Sequence, residues 1–242
     1  MSGEQRQVDL GGETLTVTIK RSAQRRRRLS LSLDAKGEAL LRVPLKTANK
    51  DIEAMLEKHR DWLHDKTREL HRYRQANPAL AFVSGETLTL QGKTLRLEVN
   101  VAPGAVRWTV VDDRLMLRTP NQDRDVLMTK LQAWYRQQAM VVFPQRLALW
   151  SERIPWVEGV PPLRVRQMRS RWGSCSSKGG ICLNSELIRL DPELLDYVIV
   201  HELCHLQEFN HSPRFYALMA RHFPNWQHCR ERLANTSLRA LV

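Results

Sequence analysis

The chain has 242 residues and carries 38 Lys and Arg against 26 Asp and Glu, a formal net charge of +12. That length suffices for one large domain or two small ones with a buried core. It contains no run of about 18 apolar residues, and its first ten residues lack an apolar segment. We therefore expect neither a transmembrane helix nor a signal peptide.

Positive charge is concentrated in the first part of the chain. Residues 151–242 hold 12 Lys and Arg against 9 Asp and Glu, so +9 of the net charge lies in residues 1–150. Residues 25–28 are all arginine, and such a run can contact nucleic acid nonspecifically. The other interpretation is a solvated strand edge, which charge protects from aggregation. We favour the strand edge, because no aromatic residues suited to stacking on bases surround the run.

The four cysteines, Cys175, Cys182, Cys204 and Cys229, include no Cys-x-x-Cys pair. We predict that all four are reduced and that the protein is cytoplasmic. A bridge between Cys175 and Cys182 across a hairpin is the alternative for that pair.

Alternating apolar and polar residues predict strands in the first part of the chain, over residues 14–19, 29–33 and 39–43. A long helix is predicted next, over residues 49–73, because apolar side chains recur there at helical spacing. This stripe consists of Ile52, Met55, Leu56, His59, Trp62, Leu63 and Leu70. We expect its Trp and Met side chains in a core.

A similar pattern follows in the next part of the chain. Strands are predicted over residues 87–90, 94–99, 106–111 and 115–118, and a helix begins near Arg124. This second helix has Leu127, Leu131, Trp134 and Val141 on one face. Pro144 is expected to kink or restart it.

The two parts share one further feature that suggests an internal duplication. In each, a strand ends in a proline, Pro44 or Pro120, and leads into a helix that carries a tryptophan, Trp62 or Trp134. The signal is weak, because it rests on few positions.

The last part of the chain predicts a small antiparallel sheet around a central helix. Strands are expected over residues 163–168, 181–184 and 187–190, with a turn-rich segment over 174–180. Asp191 and Pro192 are the N-cap and first residue of the central helix. Two closing helices are predicted over residues 213–221 and 225–233.

The central helix contains the run His201-Glu202-Leu203-Cys204-His205. Residues four apart lie on one helix face, so both imidazoles can reach one metal ion. Glu202 lies about 100° around the helix from His201, where its carboxylate can act as a general base without ligating the metal. The pattern predicts a zinc hydrolase site. The competing interpretation is an accidental histidine pair on a surface helix.

His211 is the predicted third ligand. It follows His205 by six residues, as in the metzincin pattern, although Glu208 stands where metzincins place glycine. Ser212 and Pro213 then predict the start of a new helix, which would fix His211 between two rigid elements. The alternative third ligand is a carboxylate of the last helix, with Glu231 the best candidate.

Four segments of this part resemble the YgjP-like metal-dependent hydrolases, a bacterial family of zinc metallopeptidases. They are RWGSC at 171–175, LN at 183–184, HELCH at 201–205 and NHSPRF at 210–215. The resemblance extends over roughly residues 20–235 and is looser in the N-terminal part. It implies that His201, His205 and His211 hold one zinc ion per chain and that Glu202 is the catalytic base. SprT-like proteases, some of which act on DNA-bound proteins, are related but have another third-ligand spacing.

The expected fold class is therefore α+β. A β-rich N-terminal region with one long helix is expected over residues 1–120. A small zincin-like metallopeptidase domain follows over 121–242, with a helix, a small antiparallel sheet, the active-site helix and closing helices.

The expected function is zinc-dependent cleavage of peptide bonds in a peptide or protein substrate. In zincins, a strand of the small sheet borders the cleft and binds an extended substrate by backbone hydrogen bonds. The hairpin from Arg171 to Asn184 resembles this part of the zincin sheet, so both residues are candidate substrate contacts. The alternative role of these two residues is only to stabilise the hairpin, and Trp172 is expected in the core. Arg214 and Tyr216 are candidate donors to the oxyanion.

The alternative function is a DNA-associated protein, an SprT-like protease or an adaptor, which uses the basic N-terminal half.

Overall fold

The computed structural model describes residues 4–24, 29–34, 37–76 and 80–236. Contacts between Cα atoms divide the chain into two compact units, Met1–Ala79 and Leu80–Val242. Each unit has its own hydrophobic core. The boundary predicted between residues 120 and 121 falls inside the second unit, and it stays a prediction about where the catalytic part begins.

The first unit consists of a four-stranded sheet followed by two helices. Its strands are β1 (Glu4–Asp9), β2 (Thr14–Ser22), β3 (Ser30–Leu33) and β4 (Ala39–Pro44), in the order β1-β2-β4-β3. Strands β2 and β4 are parallel, and both outer pairs are antiparallel. Helices α1 (Asn49–Lys58) and α2 (Arg60–Ala76) follow. The core includes Val17, Ile19 and Leu41 of the strands with Ile52, Leu56 and Leu63 of the helices.

The structure corrects two sequence predictions for this unit and adds one strand. The single helix over 49–73 is wrong, because the backbone leaves the helical conformation at His59 and α2 starts anew at Arg60. Trp62 is 37 % exposed, so it is not part of the core, contrary to expectation. Strand β1 was not predicted, since Val8 is its one fully buried side chain. The arginine run at 25–28 lies outside the described residues.

The second unit begins with another four-stranded sheet. Its strands are β5 (Thr87–Leu90), β6 (Lys93–Val101), β7 (Arg107–Val111) and β8 (Arg114–Thr119), in the order β5-β6-β8-β7. Strands β6 and β8 are parallel, and the outer pairs are antiparallel. Both sheets thus have the same strand order and the same pairing directions, as an internal duplication predicts.

Helix α3 (Arg124–Arg153) follows the second sheet. The side chain of Asp123 caps it by accepting hydrogen bonds from the N–H groups of Asp125 and Val126. The helix continues through Pro144, so the predicted restart at that residue is wrong. Phe143 and Leu147, which flank Pro144, are fully buried, and their packing holds the helix in place on both sides of the proline.

The remaining elements surround one central helix. Strands β9 (Leu163–Arg166), β10 (Gly173–Cys175) and β11 (Ile181–Asn184) form a sheet of order β10-β11-β9. A 3-10 helix (Ser185–Arg189) leads to the central helix α4 (Pro192–Cys204), and α5 (Pro213–His222) and α6 (Trp226–Asn235) close the unit.

The α+β class is confirmed, and two details of the small sheet are corrected. Strand β11 pairs parallel to β9, so the sheet is mixed and not antiparallel. Residues 187–190, predicted as a strand, belong mostly to the 3-10 helix. Leu187 and Ile188 are both buried there, which a strand with one exposed face does not allow for consecutive residues. Of the helices that the structure describes, none has the length and apolar content needed to cross a membrane.

Candidate metal centre and adjoining cleft

Helix α4 carries two of the candidate ligands and is fixed by ion pairs as well as by packing. The side chain of Asp191 caps the helix by accepting from the N–H of Glu193 at 3.0 Å. Arg232 of α6 pairs with Asp191 at 3.1 Å and with Glu193 at 3.0 Å. Arg146 of α3 pairs with the buried carboxylate of Asp196, its Nε lying 2.8 Å from Oδ1. These contacts hold α4 against both α3 and α6.

The three predicted histidines converge. His201 and His205 lie one turn apart at the C-terminal end of α4, and His211 lies in the loop before α5. One ring nitrogen of each lies within 4.8 Å of the others. The Nε2 atoms of His201 and His211 are 3.1 Å apart. This convergence supports His211 over Glu231 as the third ligand, because Glu231 belongs to no such group among the described residues.

Phe215 lies against all three imidazoles. Its ring centroid is 4.9 Å from that of His201, 4.6 Å from that of His205 and 4.7 Å from that of His211. The side chain is fully buried at the start of α5, where Ser212 caps the helix by accepting from the Phe215 N–H at 3.4 Å. The cap thus places both His211 and the aromatic ring that supports the cluster.

The protonation of the cluster suits a metal ion. His205 Nδ1 lies 3.1 Å from the carbonyl oxygen of Glu208, so Nδ1–H donates there and Nε2 keeps its lone pair. Burial, together with the neighbouring His205 and His211, lowers the pKa of His201 to about 3. Neutral imidazoles with free lone pairs at this separation fit a divalent transition metal such as zinc.

Glu202 is buried beside the small sheet, with 5 % of its surface exposed. A Cβ atom at position 173 would lie 2.5 Å from Glu202 Oε1 and 2.9 Å from Val198 Cγ1, so only glycine allows this approach. Burial raises the pKa of Glu202 to about 8, and the N–H of Cys175 and the charge of Arg171 oppose that rise. A carboxyl with a pKa near neutrality can exchange protons at physiological pH.

Strand β10 is an edge strand whose free side faces this carboxyl. Trp172 O accepts from Asn184 N–H at 2.8 Å, and Ser176 N–H donates to Gly180 O at 2.9 Å. Trp172 and Ser176 are both even-numbered, and residues alternate along a strand, so the peptide groups of the odd-numbered Gly173 and Cys175 point to the open edge. The Cys175 N–H at this edge donates to Glu202.

A cleft of about 330 Å³ opens beside the metal centre. His201 and Glu202 form part of its lining. The other walls come from the segment before β10, from α4 and from α6, and include Arg171, Trp172, Tyr197, Arg230 and Leu233.

A family model for the YgjP-like metallopeptidase domain matches residues 27–236. The chain belongs to the YgjP-like metallopeptidase family. Two solved structures are similar to part of it, both archaeal metallopeptidase zymogens. Jannalysin of Methanocaldococcus jannaschii is 21 % identical with a TM-score of 0.35, over 38 % of this chain and 93 % of the other. Abylysin of Pyrococcus abyssi is 23 % identical with a TM-score of 0.34, over 37 % and 90 %. No curated protein matches the chain.

The candidate substrate residues of this YgjP-like protein have different positions. Arg171 lines the cleft, whereas Asn184 is fully buried and cannot contact substrate in this structure. The Asn184 amide donates to Met168 O at 2.8 Å and to Arg171 O at 2.9 Å, so it fixes the segment that carries Arg171. This favours the alternative interpretation for Asn184, stabilisation of the hairpin.

The two candidate oxyanion donors also differ. The ring of Tyr216 lies 6.3 Å from that of His211 and stacks on Trp226 at 5.0 Å. Arg214 is exposed on the first turn of α5. Tyr216 therefore lies beside one of the candidate metal ligands.

Tyr197 and Arg230 are among the cleft residues that sequence reasoning missed. Tyr197 lies one turn before His201 on the same face of α4, and this helical spacing was a usable signal. Arg230 reaches the cleft through the packing of α6, for which the sequence holds no local signal. Trp172, expected in the core, is half-buried: it packs on the core and also forms a cleft wall.

All four cysteines are free thiols, so the alternative of a bridge between Cys175 and Cys182 is not formed in this structure.

Proposed function

We propose that this metallopeptidase is a zinc-dependent enzyme that cleaves peptide bonds with Glu202 as general base. The observation that carries the proposal is the convergence of three imidazole nitrogens within 4.8 Å of one another beside the buried Glu202. Three histidines are a ligand set of catalytic zinc sites, which keep a further position open.

His201, His205 and His211 would hold the metal. When bound, zinc supplies Lewis-acid chemistry that acidifies water and polarises a carbonyl group. Phe215 fixes the three rings, and the Glu208 carbonyl fixes the tautomer of His205. These contacts would keep the ligand geometry constant during turnover.

Glu202 would take a proton from the attacking water and deliver it to the leaving amine. The Cys175 N–H and the charge of Arg171 favour its carboxylate form, which is the form that a base requires. Burial favours the protonated form, which can then act as the acid. The opposed influences suit a group that must do both in one cycle.

The open edge of β10 would bind the substrate as an added strand. An extended peptide pairs with backbone N–H and C=O groups of an edge strand, and at Gly173 this edge lies next to Glu202. This places a peptide bond within reach of the base.

We also propose a cytoplasmic location, on the cysteine content alone. A nucleic-acid function has no support in the described residues, and we do not propose it.

The test combines metal analysis with a cleavage assay on an unfolded protein substrate. We expect about one zinc per chain and cleavage that a chelator abolishes and added zinc restores. His211→Ala should lose most of the zinc, while the matched control Glu231→Ala keeps it. Loss of zinc in Glu231→Ala with full retention in His211→Ala would overturn the ligand assignment. Metal-loaded protein without cleavage would overturn the activity.

A further inference from the structure

Two arginines give the cleft beside the metal centre a positive charge. Arg171 belongs to the segment before β10, and Arg230 belongs to α6, so the charges come from two separate elements. Both elements border the space next to His201 and Glu202. A substrate bound at the metal centre would therefore place one of its residues between them.

Neither guanidinium has an acidic partner within ion-pair distance among the residues that the structure describes. Arg232 offers a direct contrast, because it lies two residues from Arg230 on the same helix and pairs with both Asp191 and Glu193. Arg232 therefore has a structural role that Arg230 lacks. The charge of Arg230 remains available to a ligand.

A hydrogen bond from a buried side chain fixes the backbone of the segment that carries Arg171. Asn184 is wholly buried, and its amide donates to Arg171 O at 2.9 Å. A fixed backbone reduces the entropy that binding must overcome when Arg171 contacts a ligand. The rest of the cleft wall is largely apolar, with Trp172, Tyr197 and Leu233, which suits the aliphatic part of a side chain.

We propose that this cleft selects a substrate residue that bears a carboxylate, with Arg171 and Arg230 as the specificity-determining residues. The inference rests on the proposed peptidase function. Guanidinium groups bind carboxylates with charge-assisted, often bidentate hydrogen bonds. The carboxylate belongs either to an acidic side chain next to the scissile bond or to the C-terminus of the peptide.

The experiment measures peptide binding to Glu202→Gln protein, which retains the metal ligands and turns over far more slowly. One probe series is a neutral fluorescent peptide in which a single Glu moves along the sequence, with Gln as the matched control. The other is the neutral peptide with a free or an amidated C-terminus. We expect roughly tenfold tighter binding of the Glu peptides at one position, or of the free acid, with a decline at high salt.

Substitutions then test the two arginines. Arg171→Gln and Arg230→Gln, each in the Glu202→Gln background, should each remove roughly tenfold of the preference and leave the affinity of the neutral amidated peptide unchanged. Arg221 is an exposed residue of α5, and Arg221→Gln is the control for lost charge. It should change neither the preference for the carboxylate nor the affinity of the neutral peptide. A preference for Glu identifies the side chain, and a preference for the free acid identifies the C-terminus.

Equal affinity for the acidic peptides and their neutral controls would overturn the inference, as would a preference that survives in both arginine variants. Cleavage by the protein with Glu202 intact separates this failure from that of the proposed function. Equal cleavage of acidic and neutral peptides would support the peptidase function and contradict the selectivity. Preferred binding of the acidic peptides without cleavage of any peptide would support the selectivity of the cleft and contradict the peptidase function.

Discussion

The two four-stranded sheets have the same topology, but the helices that follow them differ. In the first unit the helix breaks at His59, and α1 and α2 pack on their own sheet. In the second unit α3 runs for 30 residues, and its side chains share one core with both the sheet and α4. The corresponding tryptophans show the consequence, since Trp62 is 37 % exposed and Trp134 only 7 %. In the second unit the sheet and its helix thus share one core with the helix that carries two of the candidate metal ligands.

The largest effect should come from the candidate site, which, within the described residues, lies in the second unit. Glu202→Gln keeps the shape of the side chain but removes its charge and basicity. We expect turnover to fall by roughly 10²–10⁴-fold while zinc content and folding are retained. The first-unit control Glu57→Gln, on the exposed side of α1, should leave turnover unchanged. Equal turnover in Glu202→Gln and the unaltered protein would remove Glu202 from the mechanism.

The next effect tests the contrast between the two tryptophans. Trp134→Ala removes a buried ring that contacts Trp108 at 6.3 Å and Tyr135 at 5.0 Å between centroids. We expect the free energy of unfolding of the second unit to fall by about 3–5 kcal/mol. Trp62→Ala, at a partly exposed position, should cost about 1 kcal/mol or less. Urea unfolding of the full chain measures both, and equal losses would contradict the difference between the two helices.

Gly173→Ala tests the close approach of β10 to α4, which has no counterpart among the described glycines of the first unit. The added methyl group would overlap Glu202 and Val198, so we expect a loss of about 1–3 kcal/mol in unfolding free energy, together with reduced turnover. Gly180→Ala is the matched control in the same hairpin. Its Cβ would lie 3.2 Å from Ser176 Oγ, which is farther than the 2.5 Å that separates a Cβ at position 173 from Glu202 Oε1. If both substitutions had the same effect, the contact between Gly173 and Glu202 would not be the cause.

The smallest effect concerns the ion pair that joins α3 to α4. Asp196→Asn leaves Arg146 with a neutral partner, and the guanidinium is about one-third exposed, so solvent compensates part of the loss. We expect a decrease of about 1 kcal/mol in the unfolding free energy. High salt should lower the stability of the protein with Asp196 more than that of the variant. Thermal unfolding at two salt concentrations measures this difference.

The sequence predicted the metal centre better than the sheet beside it. The ligand helix has local signals, with Asp191 and Pro192 at its start and the two histidines at i and i+4, and the structure brings His211 to them. Strand β10 was predicted only as turn-rich sequence, because three residues become a strand by pairing with β11. The parallel pairing of β9 with β11 is equally non-local.

Two other errors occurred where the local sequence does not distinguish the alternatives. The break at His59 contains no glycine or proline, so the helical pattern continues through it in the sequence. The pair Leu187 and Ile188 is buried as part of a 3-10 helix, although two consecutive apolar residues suit a buried strand equally well. In both places the surrounding packing decides the conformation.

The most direct test of the central claim is anomalous scattering from crystals of the zinc-loaded protein, recorded on both sides of the zinc absorption edge. The proposal predicts one peak per chain that appears only above the edge. It should lie about 2.0–2.1 Å from one ring nitrogen of each of His201, His205 and His211. A peak bound by Glu231 in place of His211, or zinc located away from these three histidines, would contradict it.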